Sequence, residues 1–197
     1  MKTLLFDGAL VRITAEEPRT FAEAWVRWNR DSEFSRLSNA SAAYPSGIKQ
    51  AQAWFEKPLE KDDPNNFSFA IRTLDGNRLI GGAELEVCWN NRETFLGIGI
   101  GEREYWGKGY GSDALRVLLR YAFSELNLHR VALDVFEFNP RAIRCYEKVG
   151  FTREGSVRGF LERDGRRWDL VFMGILREEW LTHEPQNVDM QPSAVPQ

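Results

Sequence analysis

The chain has 197 residues, 43% of them hydrophobic, and a formal net charge of −3. This length predicts one domain, and 13 Phe with 7 Trp exclude a chain that is disordered throughout. Because 26 basic residues nearly balance 29 acidic ones, no nucleic-acid or anionic-membrane partner is indicated. Two cysteines, Cys88 and Cys145, are too few for a disulfide framework or a zinc cluster. No apolar run suits a signal peptide or a membrane span, so a soluble cytoplasmic protein is expected.

The N-terminal third is predicted to hold one strand and two helices. A short strand at residues 10–14 precedes an amphipathic helix over about 18–30. Residues 31–47 are polar and end in Tyr-Pro-Ser-Gly, which is typical of a loop. A second helix begins at Ile48, and Pro58 is expected to end it.

The apolar period then changes to two, which predicts strands. An Asp-Gly turn and an Asn-Asn turn separate three runs that should form an antiparallel meander, near residues 67–71, 78–87 and 93–101. The remaining elements are expected to be a helix at about 110–127, a strand at 130–136, a helix at about 140–149, and a hairpin of strands at about 156–163 and 167–176.

This order predicts an α/β (α+β) fold, a mixed sheet with helices on its faces. The domain is expected to span residues 1–182. Residues 183–197 contain three prolines and few apolar side chains, which favours a flexible tail.

Three alternate glycines, Gly107, Gly109 and Gly111, lie between a predicted strand and a long predicted helix. Glycine lets the backbone approach a ligand, and the free N–H groups of a helix's first turn attract anions. Lys108 adds a positive charge. The pattern therefore predicts a pyrophosphate-binding loop rather than a plain tight turn.

A dinucleotide-binding loop is an alternative interpretation of the same segment. Gly109-x-Gly111-x-x-Ala114 fits that fingerprint, and Asp134 follows about 20 residues later. The antiparallel meander before the loop, the position of Asp134 inside a predicted strand and the shortness of the chain all disfavour it.

The strand before the loop has glycines at 97, 99 and 101, all on one face, alternating with isoleucines. Glycine inside a strand usually marks a close approach by a ligand or another backbone. Two interpretations stay open. Either a helix lies tightly on that face, or the strand has a bare edge for an extended cofactor arm.

Residues 139–151 specify a short helix almost completely. Asn139 is a suitable N-cap, Pro140 suits the first helical position, and Gly150 suits the position after the helix. Tyr146 lies on the inward face, where Phe151 is placed to contact it. Taken alone, Tyr146 is most simply a core residue.

Together these motifs resemble the GNAT superfamily of N-acetyltransferases. The similarity covers residues 8–181 and is most specific over 94–176. The RimJ/RimL-type branch, which acetylates protein N-terminal amines, is the most similar, and the branch that acetylates polyamines is similar too. The resemblance implies a mostly antiparallel sheet, splayed between strand 94–101 and strand 130–136, with acetyl-CoA in the gap and no metal.

The resemblance also implies roles for single residues. The CoA pyrophosphate would be held by the backbone of Gly107, Lys108, Gly109, Tyr110, Gly111 and Ser112. The pantetheine arm would pair with backbone groups of Ile98, Gly99 and Ile100. Asn139 would also bind the arm, and Tyr146 would stand near the thioester sulfur as the acid.

Two positions depart from the family pattern. Trp106 stands where the loop often begins with Gln or Arg, and Phe95 stands where related sequences often carry an acidic residue. The general base is therefore unassigned, and Glu33, Glu84 and Glu93 are the candidates.

The implied function is direct acetyl transfer from acetyl-CoA to a primary amine, on a small molecule or a peptide. A polyamine acetyltransferase is the alternative within the family, and a non-catalytic acyl-CoA-binding module is the alternative from another class. The resemblance leaves a homodimer open.

Overall fold

The computed structural model describes residues 4–60 and 63–183. Seven strands form one sheet: β1 Val11–Thr14, β2 Asn66–Thr73, β3 Leu79–Cys88, β4 Glu93–Ile100, β5 Arg130–Phe136, β6 Thr152–Arg163 and β7 Arg166–Leu176. The helices in the described ranges are α1 Pro18–Trp28, α2 Ser32–Ser38, α3 Ile48–Glu60, α4 Tyr110–Arg120, α5 Pro140–Lys148 and α6 Arg177–His183. The predicted mixed α/β fold is confirmed.

The sheet has the order β1-β2-β3-β4-β5-β7-β6, and every neighbouring pair is antiparallel except β4–β5. The parallel β4–β5 register covers only Glu93–Phe95 against Arg130–Ala132. From Leu96 onwards β4 continues to pair with β3 but has no register with β5. The two strands therefore diverge into a fork, as predicted.

The helices cover the two faces of the sheet unequally. Buried residues of α4, α5 and α6 pack on one face and form the main core with β-strand residues such as Leu85, Leu133 and Met173. On the other face, α1 and α2 form a smaller cluster in which Trp28 and Phe34 pack against strand residues. The part of this second face near the fork is left open, and one side of a cleft lies there.

The loop predicted for residues 31–47 is wrong in its first part, because α2 lies within it. Asp31 caps α2 by accepting a hydrogen bond from the Glu33 backbone N–H at 3.0 Å. Phe34 is buried against the rings of Trp25 and Trp28. A helix this short shows too few turns for its apolar period to be recognised.

Other boundaries differ from prediction for local reasons. Helix α3 continues past Pro58 to Glu60, because a proline in a last turn removes only one hydrogen bond. The helix predicted at 110–127 is α4 followed by a wider π-helical turn over Tyr121–Glu125. Strand β6 begins at Thr152, earlier than expected, and its register with β7 shifts twice. His183 ends α6, while the rest of the predicted tail lies outside the described residues.

A buried carboxylate joins α1 to the end of β4. Glu102 accepts hydrogen bonds from Arg27 Nε at 3.0 Å, Trp28 Nε1 at 2.9 Å and Arg78 Nη2 at 3.1 Å. Burial alone would raise the pKa of Glu102, but the hydrogen bonds from Arg27 and Trp28 outweigh it and the pKa lies below its ordinary value. These hydrogen bonds hold α1, which forms one wall of the cleft, against the end of β4.

We expect Glu102→Gln to lower the free energy of unfolding by about 1–3 kcal/mol at pH 7, since buried donors lose their charged acceptor. A depressed carboxyl pKa stabilises the fold above the unfolded-state pKa, and this contribution is lost as pH falls through the folded-state pKa. The difference between wild type and variant, measured by urea unfolding, should therefore shrink at acid pH. Glu104→Gln, at an exposed partner of Arg78, is the control and should change stability much less. A pH-independent difference would contradict this account.

Candidate active site

The open edge of β4 presents backbone groups to the fork. The Gly101 N–H donates to the Ile80 carbonyl of β3 at 2.8 Å. Because backbone groups alternate in direction along a strand, those of Gly99 also face β3, whereas those of Ile98 and Ile100 face the fork. Three residues, Ile98, Gly99 and Ile100, were predicted to pair with the cofactor arm through their backbone. Of these, the two isoleucines direct their backbone N–H and C=O groups towards the fork.

Trp106 forms a hydrogen bond with one of the backbone groups at this edge of β4. Its indole Nε1–H donates to the Ile100 carbonyl at 2.6 Å. The Arg141 guanidinium lies 3.8 Å from the Trp106 ring centroid, and Arg103 lies 4.9 Å from it. This hydrogen bond uses the Ile100 carbonyl. The Ile98 backbone groups and the Ile100 N–H remain available to a ligand in the fork.

The interpretation that a helix packs on the glycine face holds at one end of β4. A Cβ on Gly101 would lie 2.0 Å from Trp28, so α1 packs directly on that glycine. A Cβ on Gly99 would lie 3.7 Å from Phe34, and a Cβ on Gly97 would meet nothing within 4 Å. The glycine face is therefore covered at the end of β4 and open at its middle.

The glycine loop has the backbone that its sequence predicts. Gly107 and Gly109 have φ values of +70° and +92°, which side chains rarely adopt, and α4 begins directly afterwards at Tyr110. The Asp113 carboxylate accepts N–H groups from Ala9, Leu10 and Val11 at 2.7–3.1 Å. Because the Asp113 carboxylate accepts hydrogen bonds from the N-terminal segment, the backbone N–H groups at the start of α4 can still attract an anion.

Helix α5 places two polar groups in the cleft. Asn139 Oδ1 accepts the Ala142 N–H at 3.1 Å, which leaves the side-chain amide N–H₂ free to donate. Tyr146 is buried, and its ring contacts Phe151 at a centroid distance of 5.9 Å, as predicted. Burial, with smaller effects from Cys145 and Asp134, raises the pKa of the Tyr146 hydroxyl well above its ordinary value. Tyr146 therefore holds its proton at neutral pH.

Cys145 faces the glycine loop. Its Sγ lies 3.2 Å from Ser112 Oγ, and both residues line the cleft. Burial is the main effect on the Cys145 thiol and raises its pKa, so the thiolate is disfavoured. A nucleophilic role for Cys145 has no support from this environment. In the described part of the chain no cluster of three or more His, Cys, Asp or Glu side chains suits a metal ion.

The three candidate bases have different surroundings. Glu84 lines the cleft, and burial, followed by the charge of Glu86, raises its pKa. Glu33 is exposed, forms an ion pair with Arg103 and is not among the residues that line the cleft. Glu93 pairs with Arg130 at 3.2 Å. Glu84 is therefore the candidate that faces the cleft and has no ion-pair partner among residues 4–56 and 63–183.

Asp134 also lines the cleft, and burial raises the pKa of its carboxyl group. The sequence drew attention to Asp134 only through the dinucleotide fingerprint. Its place beside the fork follows from the strand register, which no short motif reveals.

A cleft of about 960 Å³ passes through the fork from one face of the sheet to the other. On one side it is bounded by the glycine loop and α5, which contribute Arg141, Arg144 and Lys148. We call the other side the acceptor chamber. Its walls and floor are Trp25, Phe34, Leu37, Trp54, Phe55, Glu84, Phe95, Gly97, Asp134 and Phe136.

A family model described as an acetyltransferase (GNAT) domain matches residues 10–152. This chain belongs to the GNAT acetyltransferase family. The GNAT assignment removes the dinucleotide interpretation of the glycine loop, and the chain is an N-acetyltransferase by its relatives as well as by its fold.

Several named relatives support the assignment. The SPbeta prophage-derived uncharacterized N-acetyltransferase YokL of Bacillus subtilis is 33% identical over 140 residues, 71% of this chain and 77% of its own length. The spermidine N(1)-acetyltransferase of Vibrio cholerae is 33% identical over 141 residues, 65% of this chain and 80% of its own. The [ribosomal protein uS5]-alanine N-acetyltransferase of Escherichia coli is 28% identical over 146 residues, 73% and 74% of the two chains.

A solved GNAT structure has the same fold. The spermidine N-acetyltransferase from Vibrio cholerae, in complex with CoA and spermine, superposes with a TM-score of 0.75 at 26% identity, covering 87% of this chain and 98% of that one. The GNAT family uses acetyl-CoA as its acetyl donor. No helix in residues 4–60 or 63–183 is long and apolar enough to cross a membrane.

Proposed function

We propose that this N-acetyltransferase binds acetyl-CoA in the fork between β4 and β5 and transfers the acetyl group directly to a primary amine in the acceptor chamber. The observation that carries the proposal is the juxtaposition in one cleft of the unpaired β4 edge, the glycine loop and the protonated Tyr146. The amide groups of a pantetheine arm can pair with a strand edge, and a pyrophosphate suits a helix start.

The residues present fit acetyl-CoA, which supplies the acetyl thioester. The backbone of residues 107–112 would hold the pyrophosphate, with Lys108 and Arg144 adding positive charge. The Ile98 backbone and the Asn139 side-chain amide would pair with the pantetheine arm. No metal is required, because the amine is the nucleophile and the thioester is already activated.

Residues of this chain then accept and donate the protons of the reaction. Glu84 accepts one proton from the bound ammonium, which makes the amine a nucleophile. The Ile100 N–H, which faces the fork, donates a hydrogen bond to the acetyl oxygen as the N–C bond forms. As the C–S bond breaks, the Tyr146 hydroxyl gives its proton to the sulfur, and the second amine proton restores the hydroxyl. One proton is released in total, and the products are an amide and a free thiol.

The proposal also covers the class of acceptor amine and the compartment in which the enzyme works. The relatives include enzymes named for spermidine and for a ribosomal protein alanine, so both small-molecule and peptide amines are candidates. Tyr146 and Asn139 support an enzyme over a non-catalytic acyl-CoA-binding module. The free thiols Cys88 and Cys145 fit the cytoplasm.

Ligand-induced stabilisation tests the donor. Acetyl-CoA and CoA at about 100 times their dissociation constants should stabilise the fold by roughly 2.7 kcal/mol, visible as a raised Tm, whereas NAD should leave it unchanged. Thiol release with a panel of amines then measures turnover. Equal shifts with NAD, or no shift with acetyl-CoA, would contradict the proposed function.

A further inference from the structure

Two carboxylates lie in one row across the sheet at the fork. The β3–β4 register pairs Glu84 with Gly97, and Gly97 lies two residues beyond Phe95, the last β4 residue paired with β5. Asp134 lies two residues beyond Ala132, the partner of Phe95 on β5. Glu84 and Asp134 thus flank Gly97 from the two sides of the fork.

Both carboxylates point to the acceptor chamber. On β3 the neighbours of Glu84 belong to the main core, and on β5 the neighbours of Asp134, Leu133 and Val135, belong to the same core. Because side chains alternate between faces, Glu84 and Asp134 face away from that core. A Cβ at Gly97 would meet no atom within 4 Å, so the floor between the two acids is empty of side chains.

Glu84 and Asp134 have no cationic partner among the described residues. Both side chains are exposed to the cleft, whereas the more buried acids Glu16 and Glu102 are paired with Arg72 and Arg27. Unpaired carboxylates that face a cleft attract a cation. The floor of the chamber therefore suits an ammonium group.

The walls above this floor are aromatic. Trp25 contacts Phe34 and Phe55 edge to face, each with ring centroids 5.8 Å apart. Trp54 and Phe95 are each 39% exposed and line the same cleft. Among the described residues that line the cleft, Glu16 is the third carboxylate, and it is already paired with Arg72. The described lining therefore offers the distal ammonium groups of an extended polycation no further unpaired carboxylate.

We propose that the acceptor is a primary amine with a single ammonium group on an aromatic or bulky apolar body. Glu84 binds the ammonium at the fork, Asp134 adds a second negative charge on the opposite side of the fork, and Trp54 and Phe95 contact the body. This inference rests on the proposed function and specifies its acceptor. The proton that leaves the ammonium passes to Glu84, and the rest of the transfer is as described above.

A matched amine panel tests the substrate class with the full-length chain. The amines are 2-phenylethylamine, spermidine and an alanine-initiated peptide, and the readout is kcat/KM from thiol release. Burial of one aromatic ring contributes roughly 10–100-fold, so 2-phenylethylamine should exceed spermidine by at least about tenfold. A preference for spermidine or for the peptide would overturn the proposal.

Variants separate the two parts of the chamber. Trp54→Ala and Phe95→Ala should raise KM for 2-phenylethylamine about tenfold and leave that for spermidine nearly unchanged. The control is Trp89→Ala, which changes an exposed tryptophan that contacts Phe67 edge to face outside the cleft, and neither KM should change. Equal losses for both amines in Trp54→Ala and Phe95→Ala would contradict aromatic selection.

Asp134→Asn and Glu84→Gln should each lower kcat/KM for 2-phenylethylamine by roughly 10²-fold, since each removes a charge from the ammonium site. Glu86→Gln is the control, because Glu86 lies on the same face of β3 but outside the cleft lining. Neither variant should lower Tm, because each removes a charge that has no ion-pair partner among the described residues. A lower Tm with unchanged kcat/KM would assign these acids a structural role instead.

Acetyl-CoA binding, measured by calorimetry, distinguishes failure of this inference from failure of the proposed function. Tight binding together with no acetylation of 2-phenylethylamine overturns the acceptor class alone. Absence of acetyl-CoA binding overturns the proposed function and this inference with it. Gly97→Leu gives an independent check, because it should fill the chamber floor and abolish turnover while acetyl-CoA affinity persists.

Discussion

Tyr146→Phe is expected to slow the chemical step of acetyl transfer by roughly 10²–10⁴-fold. The substitution removes one oxygen and keeps the ring that packs on Phe151. The hydroxyl is protonated at neutral pH because burial raises its pKa. A departing thiolate would otherwise leave without a proton, and its conjugate thiol has an ordinary pKa near ~8.5.

Single-turnover transfer with enzyme in excess is the appropriate measurement, because slow product release can hide chemistry in steady-state rates. The free energy of unfolding should change by about 1 kcal/mol or less. Tyr121→Phe is the matched control, since Tyr121 is also partly buried and also has its pKa raised by burial, but it lies outside the cleft. A decrease below about threefold in Tyr146→Phe, with unchanged acetyl-CoA affinity, would make Tyr146 a core residue only.

Gly109→Val is expected to abolish measurable acetyl-CoA binding. Gly109 has a φ of +92° immediately before α4, so a β-branched residue is strained there and its side chain enters the space assigned to the pyrophosphate. The added Cβ would lie 3.6 Å from Leu10, which is ordinary contact, so packing alone does not prevent folding. Calorimetry with acetyl-CoA, together with far-UV circular dichroism, measures both effects.

Gly76→Val separates backbone strain from the loss of the site. Gly76 has a φ of +71° in a hairpin turn, and a Cβ there would meet nothing within 4 Å. Both substitutions should reduce stability by about 1–2 kcal/mol through the left-handed φ. Only Gly109→Val should lose acetyl-CoA. Unchanged affinity in Gly109→Val would end the assignment of this loop to the pyrophosphate.

The features that the sequence predicted well are those that neighbouring residues determine. The N-cap of α5 depends on Asn139 and Pro140 alone, and the loop conformation depends on glycines with positive φ. Strands β2 to β4 follow from an alternating pattern joined by short turns. The fork could be placed only through the family resemblance, because no local pattern says where a strand pair ends.

The features that the sequence did not predict depend on contacts between distant segments. Asp134 reaches the acceptor chamber because β5 leaves β4 after Ala132. Trp106 departs from the family pattern at the start of the glycine loop, and no pattern in the sequence indicated its contact. Its indole N–H donates a hydrogen bond to the Ile100 carbonyl at the edge of β4. Glu33 was a candidate for the general base, but it lies on α2 and pairs with Arg103. Strand register and helix orientation decide each of these positions.

The most direct test of the account is the fate of the acetyl group in one turnover. Isotopically labelled acetyl-CoA is mixed with excess enzyme and 2-phenylethylamine, and the protein and the amine are both analysed by mass spectrometry at successive times. Direct transfer predicts that labelled amide appears as acetyl-CoA disappears, with no labelled protein at any time. Label that appears first on the protein, on Cys145 for example, and then passes to the amine would contradict it.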